Sequence, residues 1–278
     1  MRLVRFGEKG KEKPGLEKYG RIVDLKKQFQ DIPDIGREFF EQGWVDKLRD
    51  CKDAGETMDV RLGPPITNPS KIICLGKNYA EHAKEGGMSV PSAPLLFCKT
   101  PNTVNGPTDP VLMPAHSGQV DWEVELAVVI GKKGKRISRK NALDHVAGLM
   151  ILNDVSGREA QFGDKQWFRG KSFDTFAPMG PALVTLDEVE DINNIKLEAL
   201  VNGEVMQQGN TSDLIFDIPT IIEYISQDIT LEAGDVISTG TPSGVGIFRD
   251  PPIVLNAGDT VICRIKGIGE LENVFVAE

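Results

Sequence analysis

The run Val120-Asp121-Trp122-Glu123-Val124-Glu125-Leu126-Ala127-Val128-Val129-Ile130-Gly131 constrains the fold more than any other segment. Its β-branched and aromatic residues, ending at a glycine, read as a β-strand. Side chains alternate along a strand, so Trp122, Val124, Leu126 and Val128 share one face and Asp121, Glu123, Glu125 and Ala127 the other. Same-face neighbours stand only roughly 6.5–7 Å apart, so Glu123 and Glu125 repel each other. Water on the acidic face relieves that repulsion, and so does a cation between the carboxylates. The continuous apolar stretch from Leu126 to Ile130 suits a strand covered on both faces rather than one with a wet side.

A third carboxylate comes from another strand-like run, Val146-Ala147-Gly148-Leu149-Met150-Ile151-Leu152-Asn153-Asp154. Asp154 closes that hydrophobic stretch and opens the polar turn Val155-Ser156-Gly157-Arg158-Glu159. A carboxylate where a buried strand meets a loop is a common ligand position, and it is also where an ordinary turn-forming Asp sits. Three carboxylates without nearby Cys or His ligands would suit a hard cation held through oxygen, Mg²⁺ or Mn²⁺ before Zn²⁺.

A formal net charge of −9 and a pI near 5.0 argue against nucleic-acid and anionic-membrane partners, since basic runs are as short as Lys132-Lys133-Gly134-Lys135-Arg136. An acidic protein acting on an anionic substrate then needs local positive charge or a metal. Cys51, Cys74, Cys98 and Cys263 are widely spaced and form no C-x-x-C. Cys74 and Cys98 fall in apolar runs, where a reduced thiol packs. Residues 1–6 lack the apolar core of a signal, and no run approaches a membrane span, so a cytoplasmic location is expected.

Residues 1–65 read as a small α+β unit. It has strands over 3–6 and 21–25, a charged glycine-containing turn between them, and a helix over 36–49 in which Phe39, Phe40, Trp44 and Leu48 recur at core spacing. The boundary falls in 61–70, where Pro64, Pro65 and Pro69 exclude regular structure. Residues 66–278 carry strand-like runs over 71–75, 94–98, 111–113, 121–130, 147–153, 181–185, 235–238, 260–266 and 271–276. A hairpin pairs 196–201 with 204–207 across Asn202-Gly203. Helices intervene chiefly over 78–85 and 218–226. The pattern predicts a β-rich α+β fold, without the regular alternation of a doubly wound sheet.

Chemistry-bearing residues recur along this second region. In Asn78-Tyr79-Ala80-Glu81-His82-Ala83-Lys84-Glu85-Gly86-Gly87, a short helix puts His82 and Glu85 on one face. A carboxylate beside a histidine orients the ring and makes a general base near neutral pH, although a solvated surface helix would show the same pair. His116 and His145 fit structural positions, and the absence of H-E-x-x-H excludes a zincin motif. Arg158, Gln161 and Lys171 lie in loop-like sequence after Asp154, with Lys171 flanked by Gly170 and Ser172. The turn Thr239-Gly240-Thr241-Pro242-Ser243-Gly244-Val245-Gly246 offers backbone N–H groups and a hydroxyl to a carboxylate. It lacks the spacing and lysine of a P-loop, which disfavours nucleotide binding, and taken alone it reads as a structural turn.

The order of these segments resembles the fumarylacetoacetate hydrolase family. The matching motifs are Gly76-Lys77-Asn78-Tyr79-Ala80-Glu81-His82, Asp121-Trp122-Glu123-Val124-Glu125-Leu126, Asn153-Asp154-Val155-Ser156 with Arg158 and Gln161, Gly170-Lys171-Ser172-Phe173-Asp174, and the turn 239–246. The resemblance spans roughly residues 70–278 and is nearest to the bacterial branch named for 2,4-diketo-3-deoxy-L-fuconate hydrolase or ureidoglycolate lyase. It implies a mixed β-roll with a small N-terminal domain, and a homodimer. It implies Mg²⁺ or Mn²⁺ on Glu123, Glu125 and Asp154, and a lid carrying His82 and Glu85. It further implies Lys171 in the pocket, with Tyr79, Arg158, Gln161 and Thr241 near substrate oxygens.

The implied activity is metal-dependent hydrolysis of a C–C bond in a 2,4-dioxo, acylpyruvate-type acid, a small anionic substrate. Ureidoglycolate cleavage, and oxaloacetate decarboxylation or tautomerisation, are alternatives on the same site. A non-catalytic acid-binding descendant would be expected to have lost His82, Glu85 or Lys171, and all three are present.

Overall fold

The computed structural model describes residues 1–49, 51, 55, 60–87, 89–116 and 118–278. The N-terminal strands are β1 (Arg2–Phe6), β2 (Lys13–Lys18) and β3 (Arg21–Asp24), followed by the short helices α1 (Leu25–Gln28), α2 (Arg37–Glu41) and α3 (Trp44–Lys47). The helix expected over 36–49 breaks because Gly43 takes φ 71, a left-handed turn open to glycine. Strand β2, expected as a turn, pairs with all five residues of β1, and Gly15 leaves room for the Phe6 ring, which a Cβ would meet at 2.9 Å.

Next come β4 (Leu62–Gly63), β5 (Ile72–Gly76), α4 (Ala80–Glu85), β6 (Leu95–Lys99), β7 (Val104–Asn105), β8 (Val111–Met113), β9 (Val120–Asp121) and β10 (Val124–Ile130). Then follow β11 (Val146–Asn153), β12 (Ser156–Gly157), α5 (Arg158–Gly163), β13 (Ala177–Val184), β14 (Lys196–Val201) and β15 (Glu204–Asn210). Helix α6 (Ile218–Asp228), capped by the Asp217 side chain on Thr220 N–H, precedes β16 (Val236–Ser238), β17 (Thr260–Ile265) and β18 (Gly269–Ala277). Asn202 and Gly203, at φ 51 and 84, make the hairpin turn between β14 and β15.

A mixed sheet runs β3-β2-β1-β13-β11-β10-β16-β5-β6, with β4 added on β1 and β7 on β13. A second sheet runs β15-β14-β17-β18-β8. The boundary expected near residue 65 falls between β4 and β5, and strands from both sides of it belong to the larger sheet. Strand β10 shows why its end is wholly apolar. Val124, Leu126, Val128 and Ile130 enter a core with Ile221, Ile225, Val261 and Phe275, whereas Ala127 and Val129 enter another with Leu3, Leu16 and Phe39. Both faces of the strand are covered, as expected, and the architecture is the predicted β-rich α+β fold. No helix among the described residues is long and apolar enough to cross a membrane.

Candidate active site

Register brings the acids together. β10 and β11 pair with Val124 opposite Asn153, so Asp154 emerges beside Glu123 and its N–H donates to the Glu123 carbonyl at 2.9 Å. One carboxylate oxygen from each of Glu123, Glu125 and Asp154 lies within 4.8 Å of the other two, and all three residues are buried. The strand expected over 121–130 is interrupted at Trp122-Glu123, where Glu123 N–H turns to the Asn153 side chain at 3.0 Å.

Cations partly neutralise this cluster. Lys171 Nζ lies 2.7 Å from Glu123 Oε2 and 2.8 Å from Asp154 Oδ2. Lys99 Nζ donates to Asp154 Oδ1 at 2.5 Å and to the Val155 carbonyl at 3.0 Å. Arg158 donates through Nε to Asp121 Oδ2 at 2.9 Å and pairs with Glu123 Oε1 at 2.7 Å. Burial alone would raise the Glu123 carboxyl, but Lys171 and Arg158 overcome it and bring its pKa down to about 2. Glu125 behaves oppositely: burial, then the charges of Asp154 and Glu123, push it well above the usual range. Burial and the neighbouring Lys171 charge outweigh the pull of Asp154 on Lys99 and lower its pKa, while Asp154 and Glu123 outweigh burial and raise that of Lys171. The donor set is all oxygen, and Glu125 has no cationic hydrogen-bond or ion-pair partner among the described residues. Such a set fits a hard divalent cation such as Mg²⁺ or Mn²⁺.

The glycine-rich turn after β16 does bind carboxylates, and they are the protein's own. Gly240 N–H donates to Glu125 Oε2 at 2.8 Å, Gly244 N–H to Glu85 Oε2 at 2.9 Å, and Gly246 N–H to Asp121 Oδ1 at 2.8 Å. Gly244 sits at φ 105, and a Cβ there would come within 2.1 Å of the Met206 carbonyl oxygen, so only glycine fits. Thr241 Oγ1 donates to the Val124 carbonyl at 3.0 Å and accepts from Gln207 Nε2 at 2.8 Å. One turn thus ties the acidic strand to α4.

On α4, His82 Nδ1 and Glu85 Oε1 are 2.8 Å apart, with His82 buried. With Nδ1–H donating to the carboxylate, Nε2 is the nitrogen left to exchange a proton. His82, Glu123, Glu125 and Lys171 line a cavity of about 300 Å³, together with Arg158, Gln161 and Thr241. Leu75, Phe97, Phe162, Trp167 and Phe248 supply its apolar walls. Arg158 and Gln161 stand on the helix α5, not in the loop expected there, and hydrogen-bond to each other at 2.9 Å. Tyr79 is buried at the N-cap of α4 and lines a neighbouring cavity with Pro242 and Ser243 rather than this one. A larger cavity of about 610 Å³, lined by Arg49, Lys132 and Asp187 among others, contains no histidine, so volume alone does not identify the site.

The fumarylacetoacetate (FAA) hydrolase C-terminal family model matches residues 71–276. The chain belongs to the fumarylacetoacetate hydrolase family. It is 44% identical over 289 residues to the mitochondrial oxaloacetate tautomerase fahd2 of Xenopus laevis, covering 99% of this chain and 90% of that one. A fumarylacetoacetate hydrolase from Exiguobacterium antarcticum superposes with a TM-score of 0.88 at 40% identity, covering 100% of both chains. Maleylpyruvate hydrolase from Sphingobium sp. SYK-6 gives a TM-score of 0.81 at 32% identity, again with 100% coverage of both. The Xenopus relative is named as an oxaloacetate tautomerase and not for the fuconate hydrolase or ureidoglycolate lyase branch that the motifs suggested. The chain is therefore an enzyme of this family.

Sequence reasoning missed Lys99, Asp121 as the anchor of Arg158, and Ser238, whose hydroxyl donates to Glu125 at 2.5 Å. A lysine closing an apolar strand was the one available signal for Lys99. Ser238 faces Glu125 through the pairing of β16 with β10, which no local pattern reveals.

Proposed function

We propose that the chain interconverts keto and enol forms of an oxaloacetate-like 2-oxo acid. The observation that carries this reading is the His82 ring, buried at the cavity wall with Nδ1 engaged by Glu85 and Nε2 left as a proton carrier. A cavity near the lower end of the usual ligand-site range suits a small acid. Names of relatives with 42–45% identity over 99% of the chain support the same chemistry.

A divalent cation on Glu123, Glu125 and Asp154 would supply Lewis-acid charge to the substrate's oxygens. Arg158 and Gln161 orient the acid through their side-chain donors, Arg158 itself being held by Asp121, while Thr241 lines the wall with its hydroxyl donated to the Val124 carbonyl. His82 Nε2 takes a proton from C3. The C–H electron pair becomes the C2=C3 bond, and negative charge moves onto the keto oxygen near Lys171. Return of the proton to that oxygen gives the enol, and the reverse sequence restores the keto form. Apolar walls on part of the cavity reduce the water in contact with a bound acid.

The same His82–Glu85 pair can instead activate water for attack on the distal carbonyl of a 2,4-dioxo acid, and the hydrolase names of the structural relatives favour keeping this second reading. A cytoplasmic location, expected from the sequence, and a homodimer, implied by the family resemblance, are part of the proposal; the Xenopus relative is named as mitochondrial. Ultraviolet assays of enol-oxaloacetate loss, run beside hydrolysis of acetopyruvate and cleavage of ureidoglycolate in Mg²⁺, decide among the activities. Tautomerisation should give the highest kcat/KM, and His82→Gln should lower it roughly 10²–10⁴-fold, the range for losing a general base. A higher value for acetopyruvate would replace the tautomerase reading with the hydrolytic one. Full tautomerisation in His82→Gln would remove His82 from either.

A further inference from the structure

Cations at three positions line the cavity, and two are committed to protein carboxylates. Arg158 is held by Asp121 and Glu123, and Lys171 by Glu123 and Asp154. Lys77 is the third. Among the described residues its ammonium has no hydrogen-bond or ion-pair partner, although it is partly buried. Its backbone is held at φ 59, a left-handed conformation uncommon for residues bearing a Cβ and favoured here by its surroundings.

Those surroundings are visible on both sides. Gly76 lies under the Trp167 ring so closely that a Cβ would meet it at 2.4 Å. Asn78 donates to the Phe216 and Thr239 carbonyls at 3.0 and 2.8 Å, and accepts from Phe216 N–H at 2.8 Å. Lys77 is therefore clamped between two fixed residues at the cavity wall, in a setting where the apolar Leu75, Phe97 and Trp167 strengthen any ion pair.

We propose that Lys77 sets specificity for dicarboxylic 2-oxo acids by binding the carboxylate at the end of the substrate away from the 2-oxo group. This rests on reading the cavity as a 2-oxo acid site. Arg158 and Lys171 cannot serve that distal charge without abandoning Glu123, whereas Lys77 has no prior partner to give up. The recognised chemistry is a four-carbon dianion in preference to a monoanion of the same length.

The test uses the full chain with Mg²⁺, comparing wild type, Lys77→Met and Lys77→Arg. Substrates are oxaloacetate and 2-oxobutanoate, which carries a methyl where oxaloacetate has its second carboxylate. Exchange at C3 into deuterated water is followed by NMR, with KM and kcat resolved. Lys77→Met should raise KM for oxaloacetate on the order of 10–100-fold, the worth of a charge-assisted hydrogen bond in a shielded site, with kcat changed far less. The corresponding loss for 2-oxobutanoate should be much smaller, and Lys77→Arg should recover most of the oxaloacetate affinity. Calorimetric binding of malate and of lactate to the same proteins forms a second arm that needs no turnover. Malate should bind wild type more tightly than lactate, and that preference should vanish in Lys77→Met. If wild type exchanges neither substrate but keeps a Lys77-dependent preference for malate, the activity reading fails and the Lys77 assignment stands. An oxaloacetate KM unmoved in Lys77→Met, or equal malate binding by both proteins, would overturn the assignment.

Discussion

Glu125→Gln separates a cation site from a purely structural acid cluster. Glu125 is 1% exposed and shares the cluster with Glu123 and Asp154, while Ser238 Oγ and Gly240 N–H both donate to its Oε2. Glutamine keeps a carbonyl oxygen for those two donors and deletes one negative charge. In chelator the variant should be at least as stable as wild type, because one of three mutually repelling buried carboxylates has been neutralised. With cation at about a hundred times its Kd, wild type should gain about 2.7 kcal/mol. At about 2–4 °C per kcal/mol for a large domain, that is a rise in Tm of roughly 5–11 °C. The neutral amide should lose most of that rise. Scanning calorimetry in EDTA and across Mg²⁺ and Mn²⁺ titrations measures both quantities. A variant destabilised in chelator yet showing the full cation-induced rise would refute the reasoning and make Glu125 part of the scaffold.

Asp121 is fully buried between Arg158 and the N–H groups of Gly246 and Ile247, so Asp121→Ala leaves a guanidinium without its main partner. Urea unfolding should show a loss on the order of 3–5 kcal/mol, with unchanged stability excluding the anchor role. Arg61 bridges Glu12 at 2.8 Å and Asp109 at 2.5 Å; burial would raise both carboxyls, but Arg61 holds each below its ordinary value. Their contribution is thus complete above the unfolded carboxyl range near about pH 4 and lost as pH falls through the lower folded values, so Arg61→Met should flatten the acid-side decline in stability, and an unaltered pH slope would dismiss the bridge.

Much of the site was legible because its signals are local. Acids spaced by two on a β-branched run, an Asp at the end of a second run, and a His–Glu pair spaced by three each follow from the repeat of one strand or helix. The turn after β16 showed its N–H donors but read as structural when taken alone, because its partners Glu125, Asp121 and Glu85 lie 115–159 residues away along the chain. Strand β2 was missed because Pro14 and Gly15 look like a turn in isolation; pairing with β1 and β3 on both sides, and space for Phe6, make them a strand. Tyr79, placed near substrate by the family resemblance, stands at the N-cap of α4 and lines the neighbouring cavity, a placement that depends on how α4 packs and not on the motif itself.

By itself, the sequence determined the β-rich class, the covered strand 124–130, the three acids suited to a hard cation, and membership of a family whose motifs occur in unbroken order. Each depends on periodicity within one element or on the order of short motifs along the chain. Tertiary structure alone decided which charges meet. The β10–β11 register sets Asp154 beside Glu123, the β10–β16 register sets Ser238 against Glu125, and Lys99 and Lys171 arrive from different parts of the chain to share Asp154. These pairings are long-range consequences of strand order, and in a buried site small differences in such distances decide whether a charge is partnered, as at Lys171, or left available, as at Lys77.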